Sequence, residues 1–132
     1  MHMILDNPSS VPAPPGPFSH VARVETGNGA LLFFAGQVAL DDHGRIVGDT
    51  MGEQCERILE IYAGLLAAHG ATFDDVVNIR TYVTDMDALG ELRAEREKYF
   101  RDLAPTSTTV EVSRLFRDEA LLEIEMVAVA RS

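Results

Sequence analysis

The chain has 132 residues, with 11 lysines and arginines against 21 aspartates and glutamates, and a formal net charge of −10 at pH 7. Hydrophobic residues make up 46% and charged residues 24%, a balance typical of one folded domain rather than a disordered chain. The negative charge repels phosphate backbones and anionic lipid, so we expect neither nucleic-acid nor membrane partners. With Cys55 as the single cysteine and no leader or membrane-span pattern, we expect a cytoplasmic protein without disulfides.

The first part of the chain predicts an extended arm followed by short strands. Five of the six prolines lie within residues 7–17, where they prevent a regular helix or an inner strand. We therefore assign residues 1–17 to an N-terminal arm and residues 18–132 to a single domain. Runs rich in β-forming residues, separated by glycine-containing turns, follow at residues 20–26, 31–40 and 45–47.

The first helix is predicted to begin after Thr50 and to end before Gly70. Thr50 and Glu53 have the spacing of a capping box, in which each side chain accepts a hydrogen bond from the other residue's backbone N–H. Glycine is a common stop signal just beyond a helix. Apolar residues recur between these limits at helical spacing: Met51, Cys55, Ile58, Leu59, Tyr62, Leu65 and Leu66.

A strand and a second helix come next. Residues 76–84 alternate and are rich in β-branched side chains, which predicts a strand. The second helix is predicted over residues 87–103, and Pro105 ends it. Its apolar side consists of Leu89, Leu92, Tyr99, Phe100 and Leu103.

Two final strands are predicted at residues 107–115 and 120–130, joined by a charged turn at residues 116–119. In the last strand, one face is fully apolar and Glu123 and Glu125 point the other way. The apolar face consists of Ala120, Leu122, Ile124, Met126 and Ala128. In the strand before it, the more polar face consists of Ser107, Thr109, Glu111 and Ser113.

The order of elements predicts an α+β fold in which two helices cover one face of a mixed sheet. We expect Glu111, Glu123 and Glu125 to lie on the opposite face, beside apolar residues such as Val127 and Val129. A face that is half apolar and half carboxylate is typical of a subunit interface. The sequence therefore predicts an oligomer.

Few residues have a pattern that indicates chemistry. The four histidines lack the spacing of metal ligands, so no metal site is predicted. Cys55 lies on the apolar side of the first helix, which favours a buried hydrophobe over a nucleophile. Glu123 is flanked by large apolar residues, and a desolvated carboxylate there would have a raised pKa and could exchange a proton with water near neutral pH. The alternatives are a solvated edge residue or an intersubunit ion pair.

Five segments in order resemble the YjgF/Rid family of reactive enamine and imine deaminases. They are Gly-Pro-Phe-Ser at residues 16–19, Phe-Ala-Gly-Gln-Val at 34–38, Val-Thr-Asp-Met at 83–86, Pro-Thr-Ser-Thr-Thr-Val-Glu-Val at 105–112 and Leu-Glu-Ile-Glu-Met-Val-Ala at 122–128. The resemblance implies a chorismate-mutase-like fold and a homotrimer with a small-molecule cleft at each subunit interface. It also implies hydrolysis of a 2-imino acid to a 2-oxo acid and ammonia, with no metal or organic cofactor.

The resemblance also implies roles for individual residues. Gly36 would offer its backbone N–H to the substrate, and Glu123 would hold and polarise the attacking water. Thr109 stands where active members often have Cys, and Asp87 where they often have Asn. Phe18 stands in place of a substrate-binding Tyr and lacks its hydroxyl.

Ser107 is the departure with the largest consequence, because the family has an Arg there that clamps the substrate carboxylate. A serine hydroxyl supplies neither the charge nor the bidentate geometry of a guanidinium. We therefore expect a hydrolase that differs from the 2-iminobutanoate and 2-iminopropanoate deaminases. Its substrate would lack a carboxylate or would bind it through other groups. Arg114 has the wrong strand parity to replace the clamp, whereas Arg80 could approach from another strand.

Two other functions stay open. Loss of the clamp and of the Tyr hydroxyl would also fit a non-catalytic trimer that binds a small ligand or a protein partner. Ribonuclease activity, which has been ascribed to the family, is disfavoured by the charge of −10 and the lack of a basic cluster.

Overall fold

The computed structural model describes residues 2–100 and 104–131. The strands are β1 (Met3–Asp6), β2 (Val21–Glu25), β3 (Gly29–Phe34), β4 (Val76–Val83), β5 (Thr106–Glu111) and β6 (Leu122–Arg131). The helices are α1 (Met51–Ala68) and α2 (Leu89–Arg96). One mixed sheet has the strand order β1-β2-β3-β6-β4-β5, in which only β4 and β5 are parallel. The predicted α+β fold is confirmed.

Helix α1 matches its prediction closely. It begins at Met51, after the N-cap Thr50, and its seven predicted apolar residues are all buried. The Thr50 hydroxyl oxygen accepts a hydrogen bond from the Glu53 N–H at 3.1 Å. The other half of the predicted capping box is wrong, because the Glu53 carboxylate accepts from the Thr50 hydroxyl instead of its N–H. Helix α1 packs against α2 and β6.

Residues of the predicted N-terminal arm pair with the sheet and pack into the core. Strand β1, which the sequence did not predict, pairs antiparallel with β2, and Asp6 contacts His69 at 2.9 Å. Val11 is buried in the core. A Cβ on Gly64 of α1 would lie 2.8 Å from Val11 Cγ1, so the glycine makes room for the proline-rich segment.

Several predicted elements are shorter in the structure. The strand predicted at residues 31–40 ends at Phe34, although Gln37 still forms a β-bridge with Ile124. Residues 45–47 form no strand and contribute one bridge, between Leu40 and Ile46.

The second helix is also shorter than predicted. A 3-10 turn at Met86–Ala88 comes first, and α2 itself ends at Arg96. The N–H groups of Tyr99 and Phe100 both donate to the Arg96 carbonyl, which tightens the chain into a turn. The last predicted helical residues, 101–103, lie outside the described residues, and Leu103 is among them.

The register between β4 and β5 corrects the predicted position of Glu111. The two last strands are not neighbours, because β4 lies between them. Glu111 pairs with the buried Val83, so its side chain lies on the helix-covered face, where it accepts a hydrogen bond from the Met86 N–H at 2.9 Å. The prediction that Glu111 lies on the opposite face is therefore wrong.

The face of the sheet opposite the helices, called the open face below, has two unlike halves. Its exposed apolar half contains Met3, Leu5, Leu31 and Phe33. Its polar half contains Arg80, Tyr82, Glu123 and Glu125. This is the predicted mixture of apolar and carboxylate side chains. In the part of the chain that is described, neither helix has both the length and the apolar character to cross a membrane.

Candidate functional site

A cavity of about 320 Å³ lies between the segment that follows β3 and the start of β6. It brings together three residues that the sequence predicted for the site: Phe18, Gly36 and Glu123. The remaining lining residues are Pro15, Ala35, Gln37, Val38, Leu40 and Phe116. Glu123 is the one ionisable side chain in this lining, and the walls around it are largely apolar.

Gly36 and Glu123 are in close contact. A Cβ on residue 36 would lie 2.9 Å from Glu123 Cδ and 3.1 Å from its Cγ, with the carboxylate oxygen Oε2 closer still. The φ angle of Gly36 is not positive, so glycine is needed for space and not for backbone conformation. Among the described residues, no acceptor bonds the Gly36 N–H, which leaves it available to a ligand.

Burial raises the pKa of the Glu123 carboxyl, and the charge of Glu125 raises it further. Glu125 lies two residues along the same face and accepts a hydrogen bond from the Tyr82 hydroxyl at 2.5 Å. That hydrogen bond is the main reason why the pKa of Tyr82 is raised. Because β6 is a central strand, Glu123 is not a solvated edge residue. A carboxylate in these surroundings suits proton exchange with water nearer to neutral pH.

Tyr62 of α1 contacts both parts of the chain that carry the site, the segment after β3 and strand β6. The one proton of its buried hydroxyl is shared between the Ile124 carbonyl oxygen, at 2.8 Å from the hydroxyl oxygen, and the Ala35 carbonyl oxygen, at 3.1 Å. These residues follow Glu123 and precede Gly36. Gln37 and Ile124 also exchange backbone hydrogen bonds of 2.8 and 3.0 Å. The sequence pattern identified Tyr62 only as part of the apolar side of the helix, so this role was missed.

Gln37 and His20 connect the site to the N-terminal segment. The Gln37 amide donates to the Ala35 carbonyl at 3.0 Å and to His20 Nδ1 at 3.1 Å. His20 Nε2 then donates to the Pro12 carbonyl at 2.7 Å, which assigns the neutral Nε2–H tautomer. Both side chains are buried. The sequence drew attention to Gln37 only as part of the segment at residues 34–38 that resembles the family. No sequence pattern indicated a role for His20.

Within the single chain, the structure does not bring the other predicted residues to this cavity. Ser107 and Thr109 lie on the edge strand β5, paired with residues on the helix-covered side of β4. Asp87 is exposed in the 3-10 turn before α2, where its N–H donates to Asp85. Strand β4 separates Ser107 and Thr109 from Glu123 in the sheet.

Arg96, and not Arg80, is the arginine beside Ser107. Arg80 stands opposite Thr108 and Glu125 in the strand register, so its side chain lies on the open face and not beside Ser107 of the same chain. Arg96 Nη1 donates to the Ser107 hydroxyl oxygen at 3.1 Å. Both residues line a second cavity of about 320 Å³ at the end of α2. Contact between a helix and an edge strand has no periodic signal, so the sequence could not indicate this pair.

Cys55 is buried, as predicted. Burial raises the pKa of its thiol to about 12, and the charge of Glu95 acts in the same direction. The thiolate required of a nucleophile is therefore disfavoured at neutral pH. Across residues 2–100 and 104–131, the structure contains no cluster of three or more histidine, cysteine, aspartate or glutamate residues that could hold a metal ion.

A mixed six-stranded sheet of this order, with two helices on one face, defines a chorismate-mutase-like α+β protein. The family model described as endoribonuclease L-PSP matches residues 8–130. A RutC family protein of Pyrococcus abyssi is 35% identical over 118 residues, which cover 89% of each chain. A RutC family protein of Synechocystis is 33% identical over 135 residues, with 98% of each chain covered. The chain belongs to this family, the YjgF/Rid family, as its motifs predicted.

Solved structures agree with this assignment. The Rid family protein YyfA of Yersinia pestis superposes with a TM-score of 0.85 at 26% identity, covering 96% of this chain and 98% of that one. Escherichia coli TdcF, solved with bound serine, gives a TM-score of 0.80 at 26% identity, with 98% of each chain covered. A yeast protein, YEO7, is 23% identical and shares the fold, with a TM-score of 0.88 over 98% of this chain and all of that one.

Proposed function

We propose that this protein hydrolyses a small imine or enamine in the cavity beside Gly36, without a metal or organic cofactor. The observation that carries the proposal is the Glu123 carboxylate, half buried among apolar walls, with a raised pKa and in contact with the Gly36 backbone. Membership of the YjgF/Rid family supports the same chemistry.

The reaction needs one water and one proton relay. Glu123, ionised, accepts a proton from water as the water oxygen bonds to the carbon of the protonated imine, and the C=N electron pair becomes the lone pair of the carbinolamine amine. Glu123 then gives that proton to the amine nitrogen. The C–N bond breaks as the carbinolamine hydroxyl passes its proton to Glu123 and becomes the carbonyl, and the ammonia leaves with this proton as ammonium. The Gly36 N–H donates to the substrate and fixes its position. A carboxyl with a raised pKa serves these proton transfers near neutral pH.

The complete site forms between subunits of a homotrimer. The exposed apolar half of the open face gives the trimer its contact area, because exposed apolar patches of this kind mark interfaces. Ser107, Thr109 and Asp87 of one subunit then border the Glu123 cavity of the next. This arrangement accounts for their separation from Glu123 within one protomer.

The substrate differs from the simple 2-imino acids. Phe18 provides an aromatic ring without a hydroxyl, and Ser107 provides no charge. Escherichia coli TdcF was solved with bound serine, which supports a ligand of amino-acid size for this chain. An oxidase, transaminase or dehydratase reaction that forms imines or enamines is the class of step that would supply it.

The test uses imines generated in the assay. An amino-acid oxidase supplies 2-imino acids, an amine oxidase supplies uncharged imines, and removal of the imine is followed as accelerated ammonia release. Glu123→Ala should abolish the acceleration for every imine that the wild-type protein accepts. Glu56→Gln, which changes an exposed carboxylate on α1, should leave it unchanged. Acceleration that survives in Glu123→Ala would refute the proposal.

A non-catalytic trimer that binds a small ligand or a protein partner is the second candidate. Phe18 and Ser107 favour it, because Phe18 has no hydroxyl and Ser107 has no charge with which to hold a substrate. A thermal-shift screen of small carbonyl compounds separates the two functions. Ligands that stabilise the wild type and Glu123→Ala equally, without any turnover, would select the binding function. We expect no salt-sensitive RNA binding in either case, given the charge of −10.

A further inference from the structure

His20 is a buried residue whose four polar groups are all hydrogen-bonded, two to the N-terminal arm and two to the segment after β3. Towards the arm, its backbone N–H donates to the Asn7 side-chain oxygen at 2.8 Å, and its ring Nε2–H donates to the Pro12 carbonyl at 2.7 Å. Towards the other segment, its carbonyl accepts from the Ala35 N–H at 2.9 Å, and its ring Nδ1 accepts from the Gln37 side-chain amide at 3.1 Å. His20 therefore joins these two parts of the chain.

The Gln37 side chain extends this connection to the peptide unit between Ala35 and Gly36. Its amide nitrogen has two protons, one for His20 Nδ1 and one for the Ala35 carbonyl at 3.0 Å. Because the ring nitrogen accepts the first proton, the amide nitrogen, and not the amide oxygen, is directed at the carbonyl. The Ala35 carbonyl and the Gly36 N–H belong to one planar trans peptide unit, so they point in opposite directions. A contact that fixes the carbonyl therefore also fixes the N–H that Gly36 presents to the cavity.

The His20 ring also closes the loop that forms one wall of the cavity. Pro15 and Phe18 of this loop line the cavity that contains Glu123. The loop runs from Pro12 to His20, and the hydrogen bond from Nε2 to the Pro12 carbonyl joins its two ends. The two ring nitrogens thus act on different parts of one site, Nδ1 on the backbone donor and Nε2 on the wall.

We infer that His20 is a positioning residue of the site. Its neutral ring holds the Gln37 amide so that the Gly36 N–H is directed into the cavity, and it holds the loop that carries the wall. The effect of His20 on hydrolysis rests on the proposed function, whereas its effect on the orientation of the Gly36 N–H does not. A side chain that donates and accepts at the same two points can replace the ring, and a side chain that only fills its volume cannot.

The first test measures the orientation of the Gly36 N–H and needs no substrate. The backbone order parameter from ¹⁵N relaxation should be about 0.85 in the wild type, the value of a rigid backbone, and should fall towards about 0.6 in His20→Leu. His20→Gln should keep the wild-type order parameter, because its amide both donates and accepts. The N–H of Leu59, in the core of α1, should stay rigid in all three proteins. An unchanged order parameter of Gly36 in His20→Leu would overturn the inference.

The second test measures kcat/KM with imines freshly generated by an oxidase. His20→Leu should lower kcat/KM by about tenfold or more, because the donor and the wall lose their fixed positions. His20→Gln should stay within about threefold of the wild type, since it keeps a donor and an acceptor. His43→Leu, the same change in an exposed turn, should match the wild type. Wild-type kcat/KM in a folded His20→Leu protein, or an equal loss in His20→Gln, would overturn the inference.

Gln37→Met keeps the tests decisive if His20→Leu does not fold. It preserves the length of the side chain and removes both amide donors, so the Gly36 order parameter and kcat/KM should fall as they do in His20→Leu. An unchanged order parameter in Gln37→Met would also overturn the inference. If the order parameter responds to His20 while the wild type hydrolyses no imine, the positioning by His20 stands and the proposed function fails. If turnover depends on Glu123 while the order parameter and kcat/KM ignore His20 and Gln37, the reverse holds.

Discussion

The Glu123 carboxylate occupies the space that any side chain on Gly36 would fill. The contact joins the segment after β3 to the central strand β6. It presents to one cavity a carboxylate and a backbone N–H that has no acceptor among the described residues. The course of the backbone therefore holds the Glu123 carboxylate close to residue 36. This contact requires that residue 36 has no Cβ.

Gly36→Ala should reduce hydrolysis by about a hundredfold, because displacement of a reacting group by about 1 Å has an effect of that size. The unfolding free energy should fall by about 1–3 kcal/mol from overpacking. Gly90→Ala is the matched control, since a Cβ at that position of α2 meets nothing within 4 Å. It should keep full activity and gain about 0.5–1 kcal/mol of stability from helix propensity. Full activity in Gly36→Ala would contradict the account of this contact.

Glu125→Gln should move the acidic limb of the rate–pH profile to lower pH. The negative charge of Glu125 raises the pKa of Glu123, and the reaction requires ionised Glu123. Removing that charge lowers the pKa, so the ionised form persists to more acidic pH. The measurement is kcat/KM against pH for wild type and variant. A limb that stays in place, or moves towards neutral pH, would contradict the assignment of Glu123 as the titrating group.

Glu123→Gln should stabilise the fold at neutral pH while it removes activity. The native pKa of Glu123 lies above its value in the unfolded chain, so wild-type stability falls as pH rises through that interval and stays lower at neutral pH. Glutamine does not titrate, so the stability of the variant does not fall with pH in this way. Its thermal midpoint should exceed that of the wild type at neutral pH, and the gap should narrow as pH falls through the raised pKa. A lower midpoint at neutral pH would be inconsistent with a desolvated carboxylate.

Tyr62→Phe should lower the unfolding free energy by about 0.5–1.5 kcal/mol, the usual contribution of one hydrogen bond. The loss of stability stays modest because both carbonyl groups still accept another hydrogen bond. The Ile124 carbonyl accepts from the Gln37 backbone N–H, and the Ala35 carbonyl accepts from the Gln37 side-chain amide. Chemical denaturation measures this change. Hydrolysis, assayed well below the unfolding midpoint, should fall several-fold because β6, which carries Glu123, and the segment that carries Gly36 lose their hydrogen bond to α1. Unaltered hydrolysis would show that this link does not position the site.

Phe33→Glu should convert the proposed trimer to monomers, because it places a charge in the exposed apolar half of the open face. Sedimentation velocity should show that the trimer is replaced by the monomer, and circular dichroism should show that the monomer is folded. Ile4→Glu is the control, since Ile4 is similarly exposed but pairs with Arg23 on the helix-covered side of the sheet. A trimer that persists in Phe33→Glu, or a wild-type protein that is monomeric, would contradict the proposed assembly.

The elements with strong periodicity were predictable from sequence. Seven apolar positions placed α1, and alternation in β6 placed Glu123 on the face away from the helices. Alternation within β5 also grouped Ser107, Thr109 and Glu111 correctly. It could not say which face of the sheet they share, because that depends on the register with β4. Glu111 was therefore assigned to the wrong face.

Contacts between distant segments could not be predicted. The Tyr62 hydroxyl bonds to carbonyl groups that lie 27 and 62 residues from it in sequence, and no local pattern marks a hydroxyl for that role. The contact between Arg96 and Ser107 depends on how the end of α2 meets an edge strand. Strand β1 is only four residues long and precedes a proline-rich segment, so its pairing with β2 has no clear signal.

The central claim is that Glu123 handles the proton of the attacking water, and one rate comparison tests it most directly. Ammonia release should be followed for wild type, Glu123→Gln and the surface control Glu56→Gln, with imines freshly generated by an oxidase. The account predicts that Glu123→Gln lowers kcat/KM by about a hundredfold or more, the usual contribution of a general base, while the control matches the wild type. Wild-type kcat/KM in a folded Glu123→Gln protein would contradict the account.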